Sequence, residues 1–98
     1  MEQQKMTPEY HQRLIASVCD EVRDMLLRKN RQYGNSALEP LRIFSKTPTF
    51  EQLNVRIDDK LSRIASAQED DVEDPELDLI GYLLLKRVYR TILQQSTL

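Results

Sequence analysis

Three stretches of the chain carry apolar residues at helical spacing. In the first, Tyr10, Leu14, Ile15, Val18, Val22, Met25 and Leu26 recur at steps that place them along one side of a helix. Thr7-Pro8-Glu9 opens it with a hydroxyl cap, a proline at the first helical position and an acid in the first turn. The helix is predicted from about Pro8 to about Asn30, with Asn30 or Gly34 supplying a left-handed stop. In the second stretch, Phe50, Leu53, Ile57, Leu61 and Ile64 form the core stripe of a helix from about Pro48 to Ala67. Thr47-Pro48 repeats the earlier start signal, and Thr49 with Gln52 offers a capping box as an alternative. In the third, Leu77, Ile80, Gly81, Leu84, Val88 and Ile92 make one stripe, and Leu83, Leu85, Tyr89 and Leu93 spread apolar surface around it. This helix is predicted to start near Asp74 or a few residues earlier, with Pro75 in its first turn, and to run to about Gln94. A helix that is apolar on most sides is a central or interface helix, which points to a dimer or tetramer.

The connections complete the picture. Tyr33 to Thr47 is longer than a usual helix-to-helix loop, and loops of that length are more often functional than idle. Its Leu38, Leu41, Ile43 and Phe44 predict a segment folded back over the helices, with a short helical turn. Ser66 to Asp71 is a polar connection, and residues 1–6 are polar and expected to be disordered. There are only two glycines and four prolines, and the prolines stand outside the periodic stretches or at their starts. The predicted fold class is therefore all-α: a small antiparallel bundle of three long helices plus a long, partly helical loop. Residues 7–98 are read as one domain. A chain of 98 residues buries a thin core, so oligomerisation is expected to complete it.

Charge and composition remove several functions. Fourteen Lys and Arg against sixteen Asp and Glu leave a formal charge of -2, which gives no broad attraction to nucleic acid or to an anionic membrane. No apolar run reaches the about 20 residues that a membrane-spanning helix needs, and Met1-Glu2-Gln3-Gln4-Lys5-Met6 lacks the apolar core of a signal peptide. Cys19 is the only cysteine, which excludes an intrachain disulfide and a cysteine-based zinc cluster. A cytoplasmic location is the expectation. His11, the only histidine, reads as a solvated surface residue, and no Ser-His-Asp set, phosphate-binding glycine loop or zinc spacing occurs.

What remains is acidic chemistry. Asp70, Asp71, Glu73, Asp74, Glu76 and Asp78 lead straight into the apolar third helix. Asp74 and Asp78 are one turn apart on the same face, where two ionised carboxylates repel, and near a buried stripe that cost rises. A divalent cation removes both problems. So does a division of labour in which Asp74 caps the helix and Asp78 pairs with an Arg or Lys of another helix. On the second helix Arg56, Asp59, Lys60 and Arg63 share a face, either as a self-neutralising surface stripe or as an anion pocket beside a metal ligand. Asp78 is expected to face that stripe. Glu21 and Asp24 on the first helix are either further ligands or a solvated face, with Asp24 and Arg28 in i,i+4 register.

Magnesium takes oxygen ligands and lets substrate phosphates complete its shell, and facing helices can supply such ligands inside a bundle. Asp59, Asp74 and Asp78 are the candidate ligands, with Asp59 and Asp78 the candidate catalytic carboxylates. Lys29, Arg56, Lys60 and Arg63 are the cations available to phosphate oxygens. Tyr33 is placed to stack on a base, and Asn35 to read a base edge or a sugar. The chemistry that fits is metal-assisted attack of water on a nucleotide phosphoanhydride.

Three blocks then resemble a known family. Lys29-Asn30-Arg31-Gln32-Tyr33-Gly34-Asn35-Ser36, Arg56-Ile57-Asp58-Asp59-Lys60-Leu61-Ser62-Arg63, and Glu73-Asp74 with Asp78-Leu79-Ile80-Gly81-Tyr82 look like the small MazG-like domain of phages and bacteria termed nucleotide-modification-associated. The blocks stand in the family's order. The resemblance implies an all-α nucleotide pyrophosphohydrolase-like fold, magnesium dependence, a (deoxy)nucleoside triphosphate substrate and an oligomer in phage nucleotide metabolism. The MazG enzymes carry E-x-x-E on one helix and E-x-x-D on a later one. Here Asp78 matches the final Asp, Pro75 stands in the place of the Glu, and Ser62 stands three residues after Asp59. The competing expectation is a helical oligomeric interaction or regulatory protein that does no chemistry.

Overall fold

The computed structural model describes residues 7–34, 36–39, 45–66 and 74–96. Every regular element among them is a helix, so the fold class is all-α. The elements are α1 (Pro8–Tyr33), α2 (Thr49–Ala65) and α3 (Pro75–Ser96). The chain divides into two compact units, Met1–Gln32 and Tyr33–Leu98.

In the first unit, α1 begins as its sequence predicts. The Thr7 hydroxyl accepts a hydrogen bond from the Tyr10 amide at 3.2 Å, which satisfies one of the donors left over in the first turn. The helix runs three residues beyond the predicted Asn30. It stops where Gly34 takes a φ of 66°, so Gly34 and not Asn30 is the left-handed stop. A side chain at Gly34 would meet nothing within 4 Å, so the positive φ, rather than lack of space, is what favours glycine. Val22 and Met25 are buried, whereas Leu14, Ile15 and Val18 of the same stripe are exposed.

The second unit is built on a helical hairpin. Lys60 meets Asp78, Arg56 meets Tyr82, Asn54 meets Lys86, and Phe50 meets Tyr89. As the number falls along α2 it rises along α3, so the two helices are antiparallel. From α2 the buried positions are Thr49, Leu53, Ile57 and Lys60, a sequence of four- and three-residue steps that keeps them on one side. Leu61 and Ile64, expected in that core stripe, are exposed. The arc covered by one neighbouring helix is narrower than the apolar stripe, and Lys60 occupies part of it.

The start of α2 differs from both predicted caps. Pro48 is the capping residue, and no side chain caps the helix. Gln52 instead turns its amide back to the Thr47 carbonyl at 2.9 Å. Thr49 is buried rather than free to cap. At the other end α2 closes at Ala65, and Ser66 donates its amide to the Ser62 carbonyl at 3.0 Å. The predicted last residue, Ala67, lies outside the described residues, as do Leu41, Ile43 and Phe44 of the long connection. Ser36, Ala37 and Leu38 form a turn.

Asp74 caps α3. Its Oδ1 accepts the amides of Glu76 and Leu77, each at 3.1 Å, and its carbonyl accepts the Asp78 amide at 3.0 Å. Negative charge at that end also opposes the positive pole of the helix. Replacing Asp74 by alanine is expected to lower stability by roughly 0.5–2 kcal/mol in urea unfolding, and Asp74→Asn by much less, since Asn caps as well as Asp.

Candidate functional site

The hairpin gathers its polar groups along the seam between α2 and α3. At one end the Lys60 ammonium lies 3.2 Å from Asp78 Oδ2, with the two side chains only 9% and 11% exposed. Lys60 comes inward because it is one turn past Ile57 on the buried side of α2. Asp78 comes inward because it is one turn past the Asp74 cap, on the side of α3 that meets α2. Burying either charge alone costs several kcal/mol, so each depends on the other.

One turn along, the Arg56 guanidinium sits over the Tyr82 ring, 5.9 Å from its centroid. Next, Lys86 Nζ donates to Asn54 Oδ1 at 2.8 Å, partly buried. The far end is aromatic. Phe50 and Tyr89 meet edge to face at 4.9 Å and 85°, a preferred geometry for two rings. Lys86 and Arg90 both lie against the Phe50 ring, at 6.0 and 5.8 Å.

The predicted site residues divide accordingly. Asp78, Lys60 and Arg56 come together on the seam. Asp59 and Arg63 pair with each other at 3.3 Å across one turn of α2, and the Asp59 side chain is 54% exposed. Asp74 is exposed, and its Oδ1 accepts the capping amides. Of the stripe on α2, then, Lys60 alone turns fully inward, and the Asp59–Arg63 pair behaves as a surface pair. Lys29 and Tyr33 are exposed near the C-terminal end of α1. Asn35 and Glu73 lie outside the described residues. On α1, Glu21 is exposed, and Asp24 accepts from Arg23 at 3.2 Å. His11 is exposed, as expected, and Cys19 is a free, exposed thiol.

Asn54, Lys86 and Phe50 with Tyr89 carry the rest of the seam, and the sequence pattern did not single out the first two. The signal was present in Lys86. It interrupts the apolar run Leu83-Leu84-Leu85 and stands two turns after Asp78 on the same side of the helix.

Among the described residues, no three acidic, histidine or cysteine side chains come together as a metal site. Among the described residues the seam offers a single carboxylate, that of Asp78, and it is paired with the Lys60 ammonium. These residues do not by themselves fit a divalent cation, which wants several oxygens. No helix among the described residues is long and apolar enough to cross a membrane.

In comparisons with known proteins, no family model matches the chain, and no curated protein or solved structure matches it.

Proposed function

We propose that this chain is a MazG-like helical protein that binds (deoxy)nucleoside triphosphates as a homo-oligomer and hydrolyses them to a monophosphate and pyrophosphate. The phage or bacterial cytoplasm is the setting that goes with that resemblance. One observation carries the reading. The blocks Arg56–Arg63 and Asp74–Tyr82, which carry the resemblance from separate parts of the sequence, lie side by side on antiparallel helices. They meet through Lys60 with Asp78 and through Arg56 with Tyr82. Arg56 is exposed and Arg63 half-buried, so both guanidinium groups are within reach of a phosphate from solvent. Magnesium belongs to this reading through the resemblance. The described carboxylates do not fit the ion by themselves.

The test is pyrophosphate release from a panel of canonical and modified triphosphates, with and without magnesium. Magnesium-dependent release of pyrophosphate and a monophosphate is the expected result. No turnover, together with no magnesium-dependent nucleotide binding, overturns the reading.

A second reading, a helical interaction protein without chemistry, is favoured by the Lys60–Asp78 pair itself. A carboxylate neutralised by a buried lysine has a sufficient role in holding two helices together. Asp78→Asn separates the two. Loss of stability with unchanged nucleotide affinity makes Asp78 a structural partner. Loss of nucleotide affinity in a folded variant makes it part of a site.

A further inference from the structure

Two positive charges converge on one ring at the aromatic end of the seam. Lys86 Nζ lies 6.0 Å and the Arg90 guanidinium carbon 5.8 Å from the Phe50 centroid. Lys86 and Arg90 stand one turn apart on α3, where like charges repel. Long cationic side chains in that position are free to spread apart into water, and these two do not. Lys86 is half-buried, and its ammonium group is tied to Asn54 Oδ1 at 2.8 Å. Arg90, although exposed, rests on the same ring. The ring is itself held, because Tyr89 meets it edge to face at 4.9 Å.

No carboxylate among the described residues neutralises the two. Elsewhere on the hairpin, Lys60 has Asp78 and Arg63 has Asp59. Lys86 and Arg90 have no such partner among the described residues. Asn54, which accepts from Lys86, is uncharged. Glu51, in the first turn of α2, accepts from Asn54 Nδ2 at 3.4 Å and pairs with neither cation. Two cations held close together without a counter-charge suit a doubly charged oxyanion, which can accept from both. Holding them in place beforehand removes part of the ordering cost of binding. A carboxylate carries one charge and leaves one cation over, whereas a phosphate group carries close to two.

We propose that Lys86 and Arg90, ordered on Phe50, form a binding site for a phosphate group, either the free ion or the phosphate end of a small molecule. The site stands about 15 Å along α2 from Lys60 and is separate from the nucleotide reading above. The test is a magnetic-resonance titration of the isotope-labelled full chain, at about pH 8 and constant ionic strength. The probes are inorganic phosphate, glycerol 3-phosphate and acetate. Phosphate is expected to move the Phe50, Lys86 and Arg90 amide signals saturably, and acetate to bind about tenfold more weakly. Tighter binding of inorganic phosphate than of glycerol 3-phosphate identifies the free ion as the ligand, and the reverse identifies a phosphate ester. Lys86→Gln and Arg90→Gln should each weaken phosphate binding about tenfold, the usual worth of a hydrogen bond to a charged group. Arg87→Gln removes the same charge on another side of α3 and should change binding by less than about twofold. Circular dichroism confirms that the variants stay helical. Shifts that do not saturate, acetate bound as tightly as phosphate, or equal losses in Arg87→Gln and Arg90→Gln overturn the site. Pyrophosphate release, measured separately, decides the nucleotide reading and not this one.

Discussion

Lys60→Met is expected to lower the stability of the α2–α3 hairpin by about 3–5 kcal/mol, because it leaves the Asp78 carboxylate buried without its ammonium partner. The pair lies 3.2 Å apart with both side chains almost fully covered, so water cannot take over from the missing lysine. That cost is a large part of the total stability of an ordinary small domain. Lys60→Met with Asp78→Leu should recover most of the loss, since replacing a buried pair by apolar side chains is often neutral or better. Urea unfolding followed by circular dichroism measures all three. A single variant as stable as wild type would mean that the pair is solvated and contributes nothing to the hairpin. A double variant as weak as the single would mean that the seam depends on the pair's hydrogen bonding rather than on neutralised charge.

The second large effect is expected at Leu53. Its side chain is fully covered, at 0% exposure, at the centre of the buried side of α2 between Thr49 and Ile57. Leu53→Ala removes its transfer energy and leaves a cavity between two helices, at a cost of about 2–5 kcal/mol. Val55→Ala on the same helix is the control. Val55 is 64% exposed, so its truncation should stay within about 0.5 kcal/mol of wild type. The two variants are compared at equal urea slope, so that a shift of midpoint reports stability alone. Equal midpoints would place the core of the hairpin elsewhere.

The contrast between Leu53 and Leu61 shows how far a periodic pattern goes. Both belong to one apolar stripe in the sequence, yet Leu53 is fully covered and Leu61 is 47% exposed. Periodicity reports which side of a helix is apolar. It does not report how wide an arc the neighbouring helix covers. The same limit applies to the acidic residues. Asp74 as cap and Asp78 as an interhelical ion-pair partner were both legible as alternatives, because capping and i,i+4 repulsion are local. That Asp59 pairs with Arg63 follows from local spacing too. Nothing local distinguished Lys60 from Arg56 or Arg63 as the partner of Asp78.

By itself, therefore, the sequence determined an all-α chain, its three helices and the cap at Thr7, and it narrowed the stop of α1 to Asn30 or Gly34, Asp74 to cap or metal ligand and Asp78 to metal ligand or ion-pair partner. Each of these rests on interactions spanning a turn or two, which side-chain type and spacing control directly. Only the tertiary structure decided that Lys60 is the partner of Asp78, that Asn54 meets Lys86 and that Phe50 meets Tyr89 edge to face. Those pairings depend on the antiparallel register of α2 and α3. That register is set by how Leu53 and Ile57 pack against the facing helix, over a separation in sequence that no local signal bridges.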